Sequence, residues 1–107
     1  MSGYIISSQA DEDLQEIYDY SEDNWGEKQA TKYLREIYAV FDLLATNPNI
    51  GRRRRELGSE ICSVSHSSHL VYFMHWEGKI AIVRVLHASR DAEAAFGTID
   101  PTLGFTQ

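Results

Sequence analysis

The sequence predicts a two-layer α+β domain of order β-α-α-β-β-β, a helical hairpin packed on a mainly antiparallel sheet. Three observations predict it. Apolar residues recur every three or four positions from Ala10 to Leu44, with one break at Gly26. Runs of β-branched and aromatic residues fill much of positions 61 to 87. Between two of those runs, Glu77-Gly78 has the composition of a two-residue hairpin turn.

Tyr4-Ile5-Ile6-Ser7 is short and β-prone, and it ends in Ser7-Ser8. Ser8 lies three residues before Asp11, a loose capping pattern followed by acids that suit the positive end of a helix. In the first helix Ala10, Leu14, Ile17, Ser21 and Trp25 form one stripe. Asp11, Asp13, Glu16, Asp19 and Glu22 lie largely elsewhere on the wheel and read as a solvated face. Gly26 supplies the stop. The period resumes through Ala30, Tyr33, Leu34, Ile37, Val40, Phe41 and Leu44, and ends at Asn47-Pro48 because the residue before proline avoids helical dihedrals. The short Asn24-Trp25-Gly26 connection makes the two helices antiparallel neighbours. Three strands follow, Ile61 to Val64, His69 to Trp76 and Lys79 to His87.

A two-residue turn pairing Trp76 with Lys79 fixes which side chains share a face. Leu70, Tyr72 and Met74 then fall with Ala81, Val83 and Val85, an uncharged set expected to lie on the helices. His69, Val71, Phe73 and His75 fall with Ile80, Ile82, Arg84 and Leu86 on the outer face. An apolar patch of that kind on a small protein awaits a partner or a tail. Residues 92–107 show no clear period and read as a loosely attached tail, with Phe96 placed to dock.

The 107 residues suit one domain, here 1–91, before that tail. Apolar content of 43% and charged content of 24% place the chain among ordinary globular proteins. The lone Cys62 excludes an internal disulfide, and the absence of a basic-then-apolar leader and of a spanning apolar run predicts a cytoplasmic protein off the membrane. His66, His69, His75 and His87 lack thiolate support and compact ligand spacing, so neither metal nor other cofactor is expected. Positions 1–50 hold ten acids against three bases, and the remainder six against seven. A net charge of −6 argues against a general coat for nucleic acid, yet Arg52, Arg53, Arg54 and Arg55 stand side by side after Gly51.

Ala10-x-x-Asp13-Leu14-x-x-Ile17-x-x-Tyr20, Trp25-Gly26, Ala30-x-x-Tyr33, Leu43-x-x-x-x-Pro48-x-x-Gly51-Arg52, His69-x-Val71-Tyr72-Phe73 and Ile82-x-Arg84-Val85-Leu86-His87 together resemble the ParE branch of the ParE/RelE toxins. The likeness spans residues 4 to about 91. It implies a hairpin-on-sheet fold and the toxin half of a bacterial toxin–antitoxin pair. Such a toxin poisons DNA gyrase and is neutralised by a ParD-like ribbon-helix-helix antitoxin. The RelE branch instead cuts messenger RNA on the ribosome, so fold alone leaves two functions open.

A ribonuclease must activate a ribose 2′-OH, stabilise phosphate charge and protonate the leaving oxygen. Its candidates here are His69, Arg84 and His87, with Tyr72, but the register puts His69 and Arg84 on one face and His87 and Tyr72 on the other. The strand after the arginine loop, Ile61-Cys62-Ser63-Val64-Ser65, lacks the arginines that many relatives carry there. A gyrase-binding toxin without enzymatic activity is therefore the first expectation. A RelE-like nuclease, or a homologue that keeps only antitoxin binding, is the alternative. Partner contacts are expected at Arg52 to Arg55, whose forks pair with carboxylate or phosphate, and at Val71, Phe73, Ile82 and Arg84. The plainer reading makes the arginines a solvated loop and the histidines hydrogen-bonded strand ends.

Overall fold

The computed structural model describes residues 3–96. Its elements are β1 (Tyr4–Ile6), α1 (Ser8–Trp25), α2 (Glu27–Thr46), β2 (Arg52–Arg53), a 3-10 turn (Arg55–Leu57), β3 (Cys62–His66), β4 (His69–Trp76), β5 (Lys79–His87) and α3 (Ala92–Phe96). One mixed sheet runs in the order β1-β5-β4-β3-β2, with β1 parallel to β5 and the other pairs antiparallel. The α+β class and the hairpin-on-sheet layering are as the sequence predicts. The arginine loop adds a two-residue edge strand to the expected order.

The cap of α1 falls on Ser7, one residue before the expected Ser8. Ser7 Oγ accepts from the Ala10 N–H at 3.0 Å and donates to the Val83 carbonyl at 2.8 Å, so one hydroxyl starts the helix and ties it to β5. Gly26, at φ 94°, closes α1 and opens α2. Glu77 and Gly78, at φ 51° and 77°, form the two-residue turn, and Trp76 pairs with Lys79.

Past that turn the expected register fails. His75, Met74 and Phe73 pair with Ile80, Ala81 and Ile82, but Tyr72 then pairs with Arg84, Val71 with Val85 and His69 with His87. Val83 is the extra residue of a β-bulge, which reverses side-chain parity for the rest of β5. The assignment of faces is reversed as well. Val71, Phe73, Ile80, Ile82 and Val85 pack against Leu14, Ile17, Ile37, Phe41 and Leu44 of the hairpin. Tyr72, Val83 and Leu86 lie on the far face beneath Leu57, Ala92 and Phe96. Phe96 docks edge-on to Tyr72 with ring centroids 5.3 Å apart. The remainder of the predicted tail lies outside the described residues.

Both faces of β4 and β5 are therefore covered, and each fully buried Val, Ile or Phe contributes about 1.5–3 kcal/mol. Gly51 lets the chain pass tightly over this core at φ 102°. A Cβ there would meet Phe73 Cζ at 2.9 Å and the Ser63 carbonyl oxygen at 3.0 Å. Trp25, expected on the buried stripe, is 69% exposed at the last residue of α1.

Candidate functional site

The side chains of the four consecutive arginines divide into two that bond within the loop and two that do not. Arg52 and Arg53 form β2 and pair with Ser63 and Cys62 of β3. The Arg53 guanidinium donates to the Ser59 carbonyl at 2.8 Å. Arg54 is half-buried: Nε donates to Glu56 at 2.8 Å, one NH group donates to Ser63 Oγ at 3.1 Å, and its guanidinium lies 5.5 Å from the centre of the Tyr72 ring. The hydrogen bond to Glu56 raises the Arg54 pKa, and the same bond holds the Glu56 carboxyl below its ordinary value. Arg52 and Arg55 are exposed, and neither makes an ion pair or side-chain hydrogen bond among the described residues. Strand pairing and a 3-10 turn thus hold two guanidiniums out from a fixed backbone.

Arg84 lies elsewhere. It reaches α1, where Nε and one NH group donate to the two oxygens of Asp13 at 2.7 and 2.9 Å. Asp13 Oδ2 also accepts the Val85 N–H at 3.0 Å, taking up a strand-edge group beyond the point where β1 ends. This fork raises the Arg84 pKa. The pair is buried, at 9% and 8% side-chain exposure. Two expectations change here: Asp13 belongs to the buried stripe instead of the solvated face, and Arg84 is internally paired instead of presented. Val71, Phe73 and Ile82, expected at an outer partner surface, are fully buried in the hairpin–sheet core. Tyr72 is buried on the opposite side.

The bulge brings together what the straight register kept apart. His69 and His87 face each other across β4 and β5 with ring centroids 5.4 Å apart. They line an open cleft of about 950 Å³ between the hairpin and one end of the sheet. Glu16, Tyr20 and Trp25 contribute from α1, Tyr33 from α2, Ser67 and Ser68 from the β3–β4 turn, and Ser89 and Arg90 from the segment after β5. Tyr20 and Trp25 are about two-thirds exposed, at 67% and 69%, large apolar surfaces left at the cleft wall. Tyr33 Oη lies 2.7 Å from His69 Nδ1, and His87 Nδ1 accepts the Ser89 N–H at 3.0 Å. His66 bonds Glu36 of α2 at 3.1 Å, fixing the β3–β4 turn to the helix. Burial first, then the neighbouring His87 and His66, lowers the His69 pKa below the ordinary histidine value.

Sequence reasoning missed Asp13, the approach of His69 to His87, and the place of Arg90 in the lining of the same cleft. Asp13 was detectable, since positions 10, 13, 14 and 17 share one side of a helix and Arg84 in an apolar strand calls for a buried acid. The bulge left no such signal. Among the described residues, no cluster of three His, Cys, Asp or Glu side chains could hold a metal.

The family described as "ParE toxin of type II toxin-antitoxin system, parDE" matches residues 4–92. A relative named Toxin ParE1 from Mycobacterium tuberculosis (strain CDC 1551 / Oshkosh) is 42% identical over 93 residues, covering 86% of this chain and 95% of its own length. Toxin ParE1 of Caulobacter vibrioides is 35% identical over 97 residues, covering 91% of this chain and 100% of its own. A solved chain described as "Chromosomal ParDE TA system from P. aeruginosa" superposes with a TM-score of 0.69 at 21% identity, over 81% of this chain and 96% of that one, which supports the fold. With a match that begins at β1 and ends as α3 begins, this chain belongs to the ParE family of toxins of type II toxin–antitoxin systems.

Proposed function

We propose that this chain is a cytoplasmic toxin that acts without enzymatic activity, by binding DNA gyrase with its bound DNA, and that a ParD-like ribbon-helix-helix antitoxin neutralises it. Family membership supports the toxin role, and the neighbour described as a ParDE system supports an antitoxin partner. The observation that carries the mode of action is the pair of exposed guanidiniums, Arg52 and Arg55, which make no side-chain hydrogen bond or ion pair among the described residues, on a loop braced by Arg53 and Arg54. A fixed arginine pair in an otherwise acidic chain gives local attraction to phosphate or carboxylate without general affinity for nucleic acid. The antitoxin arm occupies the cleft, covering Tyr20 and Trp25.

The test compares two activities of the purified, antitoxin-free protein: gyrase supercoiling with cleaved DNA trapped, and messenger RNA integrity in a translating extract. Accumulated cleaved DNA with intact RNA is the expected result. Cut RNA with normal supercoiling would overturn it in favour of a ribonuclease, a reading with one point for it: His69 and His87 share a cleft with Arg90. Arg84, the third group such a site would use, is bound to Asp13. Silence in both assays alongside antitoxin binding would leave a non-toxic antitoxin-binding subunit.

A further inference from the structure

The cleft presents hydrogen-bond donors with few acceptors among its bases. Tyr33 Oη lies 2.7 Å from His69 Nδ1 but 3.5 Å from the His66 carbonyl, so its proton is better placed on the imidazole. That leaves the His69 proton on Nε2. His87 Nδ1 accepts the Ser89 N–H, which places the neutral ring's proton on Nε2 as well. Neither Nε2 has a hydrogen-bond partner among the described residues, and the Arg90 guanidinium makes no ion pair there. Two N–H donors and a guanidinium in one cleft match a group that only accepts.

We infer that the cleft recognises a carboxylate on its protein partner, gripped by His69, His87 and Arg90 while Tyr20 and Trp25 cover the apolar residues beside it. This rests on the antitoxin reading above and specifies what the antitoxin arm must carry: an Asp or Glu flanked by apolar or aromatic side chains. A phosphate would satisfy the same donors. The cleft favours the protein carboxylate because its rim is aromatic, and because residues 1–50 carry ten acids against three bases, a field that repels a polyanion more strongly than a single carboxylate.

Docking is consequently linked to protonation. The groups around the pair are Glu16, Tyr20 and the Asp13–Arg84 pair from α1 and β5, Tyr33 and the His66-bound Glu36 from α2, His66 itself, and Arg90. In the free protein burial, then the neighbouring His87 and His66, lower the His69 pKa and so disfavour its imidazolium. A docked carboxylate reverses that balance and favours imidazolium, so the complex takes up protons. Affinity then strengthens as pH falls from about 8 to 6, by up to about tenfold per pH unit for each proton taken up.

The experiment uses the full chain with a ParD-like antitoxin, co-expressed, separated and titrated by calorimetry at pH 8, 7 and 6 in two buffers of different ionisation enthalpy. Net proton uptake and a Kd that falls at least threefold per pH unit are expected. His87→Gln, at an exposed position, should weaken both; His69→Gln together with His87→Gln should abolish them; and one Asp or Glu of the antitoxin, changed to its amide, should reproduce the loss. Unchanged uptake in His87→Gln, with no antitoxin acid reproducing the loss, would overturn the carboxylate site while leaving the antitoxin reading intact. Competition by a single-stranded oligonucleotide, with every antitoxin amide variant silent, would reassign the donors to phosphate and overturn it too. Failure of the two chains to associate would remove the antitoxin reading and this inference together.

Discussion

Replacing Asp13 with Ala should cost this fold more than its place among helix acids suggests. Asp13 accepts three hydrogen bonds, two from Arg84 and one from the Val85 N–H, and both members of the ion pair are under a tenth exposed. Deleting one partner strands a buried guanidinium, which costs about 3–5 kcal/mol. That is a large share of a total near 5–15 kcal/mol. With a urea dependence of about 1–2 kcal/mol/M, the unfolding midpoint should fall by roughly 2 M or more. The double variant Asp13→Leu with Arg84→Met removes both charges and leaves mainly the Val85 N–H unsatisfied, at about 1–3 kcal/mol. It should therefore be milder than Asp13→Ala alone, a non-additivity readable in a double-mutant cycle. A loss below about 1 kcal/mol for Asp13→Ala, typical of surface changes, or a double variant as costly as the summed singles, would refute the buried-pair account.

The arginine loop predicts a separation of function from stability: Arg52→Ser with Arg55→Ser should leave urea unfolding within about 0.5 kcal/mol of the parent yet abolish trapped gyrase cleavage. Arg54→Ser should instead lower stability, since it removes the bonds to Glu56 and Ser63 and the contact with Tyr72. Gly51→Ala should cost about 2 kcal/mol or more in the same assay, because φ 102° is strained for alanine and the added Cβ meets Phe73. Phe96→Ala should cost about 3 kcal/mol and expose Tyr72, a change visible in near-ultraviolet dichroism. For pH, the folded state lowers the His69 pKa below 6.5, so the unfolded chain binds that proton first as pH falls. The stability contributed by keeping this imidazole neutral is present above the unfolded value and lost through and below it, and His69→Gln should flatten that part of the unfolding profile.

The layers and most element boundaries were legible because they rest on local signals: the stop at Gly26, the break at Asn47-Pro48 and the turn at Glu77-Gly78 each act within a few residues. The faces of the sheet were not. Alternation identifies the buried face only when the other face meets water, and here helices cover one side while the 3-10 turn and α3 cover the other. From Ile80 to Leu86 every side chain of β5 is buried, so the run holds no period to read. Charge then misled, because Arg84 suggested an outward face although its partner is 71 positions away on α1.

The bulge at Val83 links these errors to the site. With a straight register His87 would point to the far face, away from His69, and Val85 would leave the hairpin core. The extra residue turns both toward the helices, so that one irregularity places Val85 among Leu14 and Ile17 and His87 beside His69. Asp13 reaches the same irregularity from α1, where it accepts hydrogen bonds from Arg84 and from the Val85 N–H beside the bulge. A variant that weakens this anchor without unfolding the chain, such as Asp13→Asn, should therefore disturb the histidine pair although it touches neither ring. Imidazole resonances of His69 and His87 that shift with Asp13→Asn, while those of the distant His75 stay fixed, would establish that coupling. Unshifted resonances in a destabilised variant would mean that the β4–β5 register holds the bulge without help from the helix.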